Sequence, residues 1–190
     1  MAIQHTLFIS TGRLKKDTSL GESVSDDLLL PYILMAQDRY ILPVLGTDLY
    51  NKLVSDIQGD SLTGNYLTLL QTYIQPALVQ FAYSTCLPFL RIRMVNNSIV
   101  AMNTEQGTAV THDDLKPLIN AALDQAEFYR ERLIDYVVDS NFAEYQSNSD
   151  PGELSPTTAN YYAGLNLDVA PTNNRMRAIL RKAGVTIVDC

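Results

Sequence analysis

The hydrophobic pattern is helical along most of the chain. Ile33, Ala36, Tyr40 and Ile41 fall on one face at helical spacing. Ser25-Asp26-Asp27 upstream reads as a helix start, with a capping side chain and two acids at the positive end of the dipole. Pro31 fits such a helix only in its first turn or at a bend. The helix is expected to stop before Pro43, because a proline disfavours the α region for the residue preceding it. Pro43-Val44-Leu45-Gly46 then forms an apolar elbow, with Gly46 free to take positive φ. Thr47 is placed to cap a second helix whose apolar face is Leu49, Tyr50, Leu53 and Ile57.

Gln58-Gly59-Asp60 reads as a turn. A third helix is expected over Thr63 to Tyr73, carrying Tyr66, Leu69, Leu70 and Tyr73 on one side. A fourth is expected from Pro76, since proline suits a first helical position. It is so apolar between 77 and 90 that it belongs in the middle of the core, and Pro88 ends or kinks it. The period changes over about 91–103, where Ile92, Met94, Ile99 and Ala101 alternate around Asn96-Asn97, which predicts a short β-hairpin. The longest helix is expected at roughly 112 to 140, behind a capping-box-like Thr111-His112-Asp113-Asp114. Leu115, Ile119, Ala122, Ala126, Tyr129, Leu133 and Tyr136 mark its buried face.

The two ends break the pattern. Residues 1–24 mix a β-like Leu7-Phe8-Ile9 with lysines and glycines and read as an N-terminal arm outside the core. Residues 146–190 read as a polar linker and a C-terminal arm, in which Arg175, Arg177, Arg181 and Lys182 cluster on a short helix. That arm also carries Tyr161, Tyr162, Leu165, Leu167, Val169, Ile179, Leu180, Ile187 and Val188, more apolar surface than a free tail needs. The expected organisation is therefore an arm at 1–24, a helical domain at 25–145 and a linker with an arm at 146–190. The fold class is mainly α: a bundle of about four to five helices with a small hairpin.

Composition narrows the chemistry. The chain has 190 residues, 46% hydrophobic and 18% charged, a globular balance with enough length for a real core. Its formal charge of -7 disfavours general adhesion to nucleic acid, because an acidic surface repels phosphates. Cys86 and Cys190 are expected as reduced thiols in a cytoplasmic product. The N-terminus lacks the layout of a signal peptide, and the apolar runs are broken short of a membrane span. His5 and His112 have no metal-ligand spacing to a second His or Cys. Ser84 and Cys86 sit in an apolar helix without a nucleophile elbow. The pairs Asp26-Asp27 and Asp113-Asp114 lie at helix starts, where the dipole accounts for them. No phosphate-binding glycine pattern occurs. No catalytic, cofactor-binding or metal-ligating residue is assigned, and no enzyme activity or cofactor is expected.

The order Ala36-Gln37, Tyr40-Ile41-x-Pro43-x-Leu45-Gly46-Thr47-x-Leu49-Tyr50-x-x-Leu53, followed by the later helices with Tyr129 and Leu133-x-x-Tyr136, resembles a family of head-to-tail adaptor proteins. These are the connector or ring proteins of tailed bacteriophages, and the likeness is greatest to the ring proteins of crAss-like phages. It covers about residues 25 to 145. The resemblance implies a structural virion protein at the head-tail connector, assembled in the bacterial cytoplasm. It implies a homo-oligomeric ring, commonly of twelve copies, beneath a portal protein and in contact with other tail components. DNA would pass through its lumen without sequence-specific binding, and no membrane is involved. Two other readings remain open: a small helical enzyme, and a DNA-packaging or regulatory module that grips nucleic acid through Arg175, Arg177, Arg181 and Lys182.

Overall fold

A computed structural model describes residues 5–90, 92–95, 98–101, 112–140, 142–145 and 153–156; for 92–95, 98–101 and 112 only the backbone is described. All of them belong to one compact unit, Met1–Asn160. The protein is mainly helical. Among the described residues, five helical runs and a 3-10 turn at Ala143–Tyr145 account for it: α1 (Thr11–Asp17), α2 (Asp26–Leu45), α3 (Thr47–Gln58), α4 and α5 (His112–Asp139). The α4 run passes without a break through Gly64–Thr68, Leu69–Ile74 and Gln75–Leu90. It lies between α2 and α5 and packs along both. Its buried residues include Leu69, Ile74, Leu78, Phe81, Ala82 and Cys86, so it is covered on nearly every side, as its apolar sequence demands.

The expected break at Pro43 is absent. Helix α2 runs through it to Leu45, and the chain accommodates the proline by widening one turn beforehand. Gln37–Ile41 is π-helical, and the Leu42 N–H donates to the Gln37 carbonyl five residues back. A proline clashes with the carbonyl four residues earlier and has no N–H to give it, and a wider turn relieves both problems. The same device joins the two helices expected at Thr63–Tyr73 and from Pro76. Leu69–Ile74 is π-helical, the Gln75 N–H donates to the Leu70 carbonyl, and Pro76 therefore sits inside α4. Each wide turn carries a tyrosine stacked flat on the neighbouring helix. Tyr40 lies 4.0 Å from the Phe81 ring and Tyr73 lies 4.0 Å from Tyr136.

The elbow itself is Gly46, whose φ of 76° and ψ of 166° are open essentially to glycine alone. Gly46, not Thr47, is the N-cap of α3. The Thr47 hydroxyl instead accepts from the Leu154 N–H at 2.9 Å, and the Thr47 N–H donates to the Leu154 carbonyl at 3.2 Å. Part of the expected linker, 153–156, is thus fastened to the start of α3. Ser25 occupies the N-cap of α2, but its side chain makes no capping bond. Asp26 in the first turn pairs with Lys15 of α1 at 2.6 Å.

The N-terminal segment is the largest correction. Its described part is core and not a free arm: Phe8, Ile9 and Leu14 are buried, and Thr11–Asp17 is helical where no helix was expected. Leu7-Phe8-Ile9 forms no strand. Joining α2 across Pro43 also gives a 20-residue helix that could cross a membrane by length and mean hydropathy alone. Here Leu29, Ile33, Ala36, Ile41, Val44 and Leu45 bury its apolar face in the protein core. The backbone of β1 (Ile92–Val95) runs antiparallel to that of β2 (Ser98–Ala101), with Ile92 opposite Ala101 and Val95 opposite Ser98. The Asn96-Asn97 turn, the capping residue Thr111 and the C-terminal arm lie outside the described residues.

Candidate interaction surface

Several of the groups with reactive chemistry make structural bonds. The Ser84 hydroxyl donates to the Phe81 carbonyl at 2.9 Å, and the Cys86 thiol donates to the Tyr83 carbonyl at 3.2 Å. Burial pushes the Cys86 thiol up to about 12, far from the thiolate a nucleophile needs. His5 is exposed, and His112 is the first residue of α5. Asp113 is held by Lys116 at 2.8 Å, and the hydrogen bond from Lys15 holds the Asp26 carboxyl below its usual range. Among the described residues no three His, Cys, Asp or Glu side chains gather as a metal site. Cys190 and the basic cluster Arg175, Arg177, Arg181 and Lys182 lie outside the described residues.

Polar side chains fasten elements together elsewhere. Tyr66 of α4 donates to Glu144 at 2.7 Å and packs its ring on Phe142, which ties the chain beyond α5 to the start of α4. Burial, then the bond to Glu144, pushes the Tyr66 phenol up to about 12. Lys52 and Asp56 pair at 2.8 Å on α3, and the Ser61 hydroxyl donates to the same carboxylate. Gln37, fully buried, enters the sequence reading only through the resemblance motif. Its amide donates to the Thr6 carbonyl at 3.0 Å and to Tyr50 at 2.6 Å, and accepts from the Phe8 N–H at 3.0 Å. A buried amide between apolar Ala36 and Tyr40 was a legible signal, because such a group must find partners.

Two sets of apolar side chains stand out on the surface. Leu28, Tyr32 and Met35 follow one another at i, i+4 and i+7 along α2, and the Tyr32 ring stacks on Phe89 of α4 at 5.1 Å. Leu28 is 45% exposed, Met35 46% and Phe89 44%. On α5, Arg132 lies within 6.0 Å of the ring centres of Tyr73, Phe128 and Tyr129, and Phe128 is 57% exposed. Exposed aromatic, methionine and arginine side chains are enriched at protein-protein interfaces.

Fold and surface together define a helical-bundle protein with exposed apolar side chains on its helices. Within that class, the chain belongs to the DUF6712 family, described as a family of unknown function, whose profile matches residues 41–153, more than half of the chain. The match starts at the end of the first π turn and finishes where Glu153 begins the segment fastened to Thr47. Searches of curated proteins and of solved structures each returned no match.

Proposed function

We propose that this protein is a structural subunit that assembles through its exterior, as a ring in the head-to-tail connector of a tailed bacteriophage. The observation that carries the assembly reading is the apolar face of Leu28, Met35 and Phe89, which spans two helices around a partly buried Tyr32 and stands nearly half exposed. Water disfavours such a face, and a partner surface would remove it from water at roughly 25 cal/mol per Å² of apolar area covered. The connector assignment is supported by the sequence resemblance, centred on Ala36 to Leu53. Those residues build the π turn and the glycine elbow, so they support kinship and not a contact site. The acidic balance suits a wall along which DNA slides without sticking. In this reading β1–β2 and the C-terminal arm supply reach toward neighbouring copies, the portal and tail components.

The test is sedimentation of the full chain, alone and with portal protein, beside Met35→Asp and Phe89→Asp variants. The proposal expects association by the parent chain, and its loss in both variants while their helical content stays unchanged. A parent chain that remains monomeric and ignores portal protein contradicts it.

A further inference from the structure

The N-terminal segment Thr6–Ile9 is held in an unusual way. Among the described residues no strand or helix backbone pairs with it; side-chain amides take up the Phe8 N–H and the Thr6 and Phe8 carbonyls. The Phe8 N–H donates to Gln37 Oε1 at 3.0 Å, and the Phe8 carbonyl accepts from Gln75 Nε2 at 2.8 Å. The Thr6 carbonyl accepts from Gln37 Nε2 at 3.0 Å, and the Thr6 hydroxyl accepts from Gln58 Nε2 at 2.7 Å. The Phe8 ring meets Tyr50 at 5.1 Å, and Arg13 of α1 donates to Gln75. Gln37 of α2 and Gln75 of α4 thus converge on the backbone of Thr6 and Phe8, and Gln58 of α3 adds a bond to the Thr6 hydroxyl.

A peptide held through its backbone groups, with apolar side chains buried beside them, is the chemistry of a peptide-binding site. The site also needs an occupant. Gln37 is fully buried, and vacating the segment would strand its amide without backbone partners. The occupant's identity is known from the contacts themselves: the sequence around Thr6-Leu7-Phe8-Ile9, which every copy of the chain carries. Between α1 and α2 lie residues 18–25, mostly exposed and including Gly21, which provide a connection that can be redirected.

We infer that the Gln37–Gln75 clamp is a peptide site that takes the N-terminal segment of a second copy of this chain when copies are assembled. The contacts of Thr6–Asp17 in the exchanged arrangement are those already described; residues 18–25 change path and exchange the Ser19–Tyr83 hydrogen bond and the packing of Leu20 and Val24. Eight extended residues span at most about 29 Å, so the exchange is confined to immediate neighbours. Within one free chain the tether gives the local segment an effective concentration on the order of millimolar, which favours closure on itself. Copies held side by side remove that advantage. The inference therefore rests on the assembly proposed above and adds the element that would clasp one copy to the next.

The test places single cysteines at the two ends of the Thr6–Gln58 contact, as Thr6→Cys in one batch and Gln58→Cys in another. Both carry Cys190→Ser, and Cys86 stays buried. The batches, made distinguishable in mass, are mixed under the conditions in which the full chain sediments as an oligomer, and treated with a short bismaleimide. The expected result is a covalent pair joining one Thr6→Cys chain to one Gln58→Cys chain. A chain carrying both substitutions serves as the comparison. If oligomers form but that chain links only within itself and the mixed batches give no pair, the exchange is overturned while assembly stands. If no oligomer forms and only internal links appear, both are overturned.

Discussion

At the scale of single residues, a few positions carry constraints that their neighbours do not. Gly46 is one. Its φ of 76° with ψ of 166° places it where a Cβ is strained, and it lies between the end of α2 and the start of α3. Gly46→Ala is expected to cost about 1–3 kcal/mol, read from urea unfolding of the full chain. Gly12→Ala is the contrast. Gly12 lies inside α1, and an added Cβ meets nothing nearer than the Ser10 hydroxyl oxygen at 3.9 Å, so no loss is expected there. Equal costs at the two sites would remove the backbone argument. The role of Gly46 was legible in the sequence as a glycine in a proline-containing elbow. The role of Thr47 was not, because its partner Leu154 lies 107 residues away and no local pattern announces it.

At the scale of elements, the helices were legible and their joints were not. The apolar steps of α5 from Leu115 to Tyr136 are all at least partly buried, because a 3.6-residue period records the face that packs. The prolines misled. Pro43 and Pro76 each follow the same local sequence, Tyr-Ile-x-Pro, at 40–43 and 73–76. Each follows a π turn, so a proline that ordinarily ends a helix continues one here. The paired sequence was the available signal. It also places the two stacked tyrosines. In a double-mutant cycle, Tyr73→Ala with Tyr136→Ala is expected to show a coupling of about 0.5–1.5 kcal/mol, from parallel rings 4.0 Å apart. A coupling near zero would mean that the wide turn does not depend on that contact. The N-terminal segment was misread for a related reason. Its polar and glycine content resembles a tail, but Phe8, Ile9 and Leu14 suffice to bury it once Gln37 and Gln75 take up its backbone groups.

At the scale of the whole molecule, buried phenols and a buried thiol make stability depend on alkaline pH. Burial raises Tyr145 from 10.0 to about 12, burial and the Glu144 bond do the same for Tyr66, and burial raises Cys86 from 9.0 to about 12. The folded chain therefore holds these protons over a range in which the unfolded chain has released them. Where the unfolded state binds fewer protons, stability falls as pH rises. Unfolding midpoints in urea are expected to hold steady up to about pH 9 and to fall progressively between pH 9 and 12, with phenolate absorbance from Tyr66 and Tyr145 delayed until the fold opens. A midpoint unchanged to pH 12, with every tyrosine titrating near 10, would show that these side chains are not enclosed. The larger claim is that the buried helices supply shape while the exposed apolar face and the N-terminal clamp supply contact. Electron microscopy of the full chain mixed with portal protein tests it most directly. The account predicts closed rings of this chain seated on the portal; single globular particles beside bare portals would contradict it.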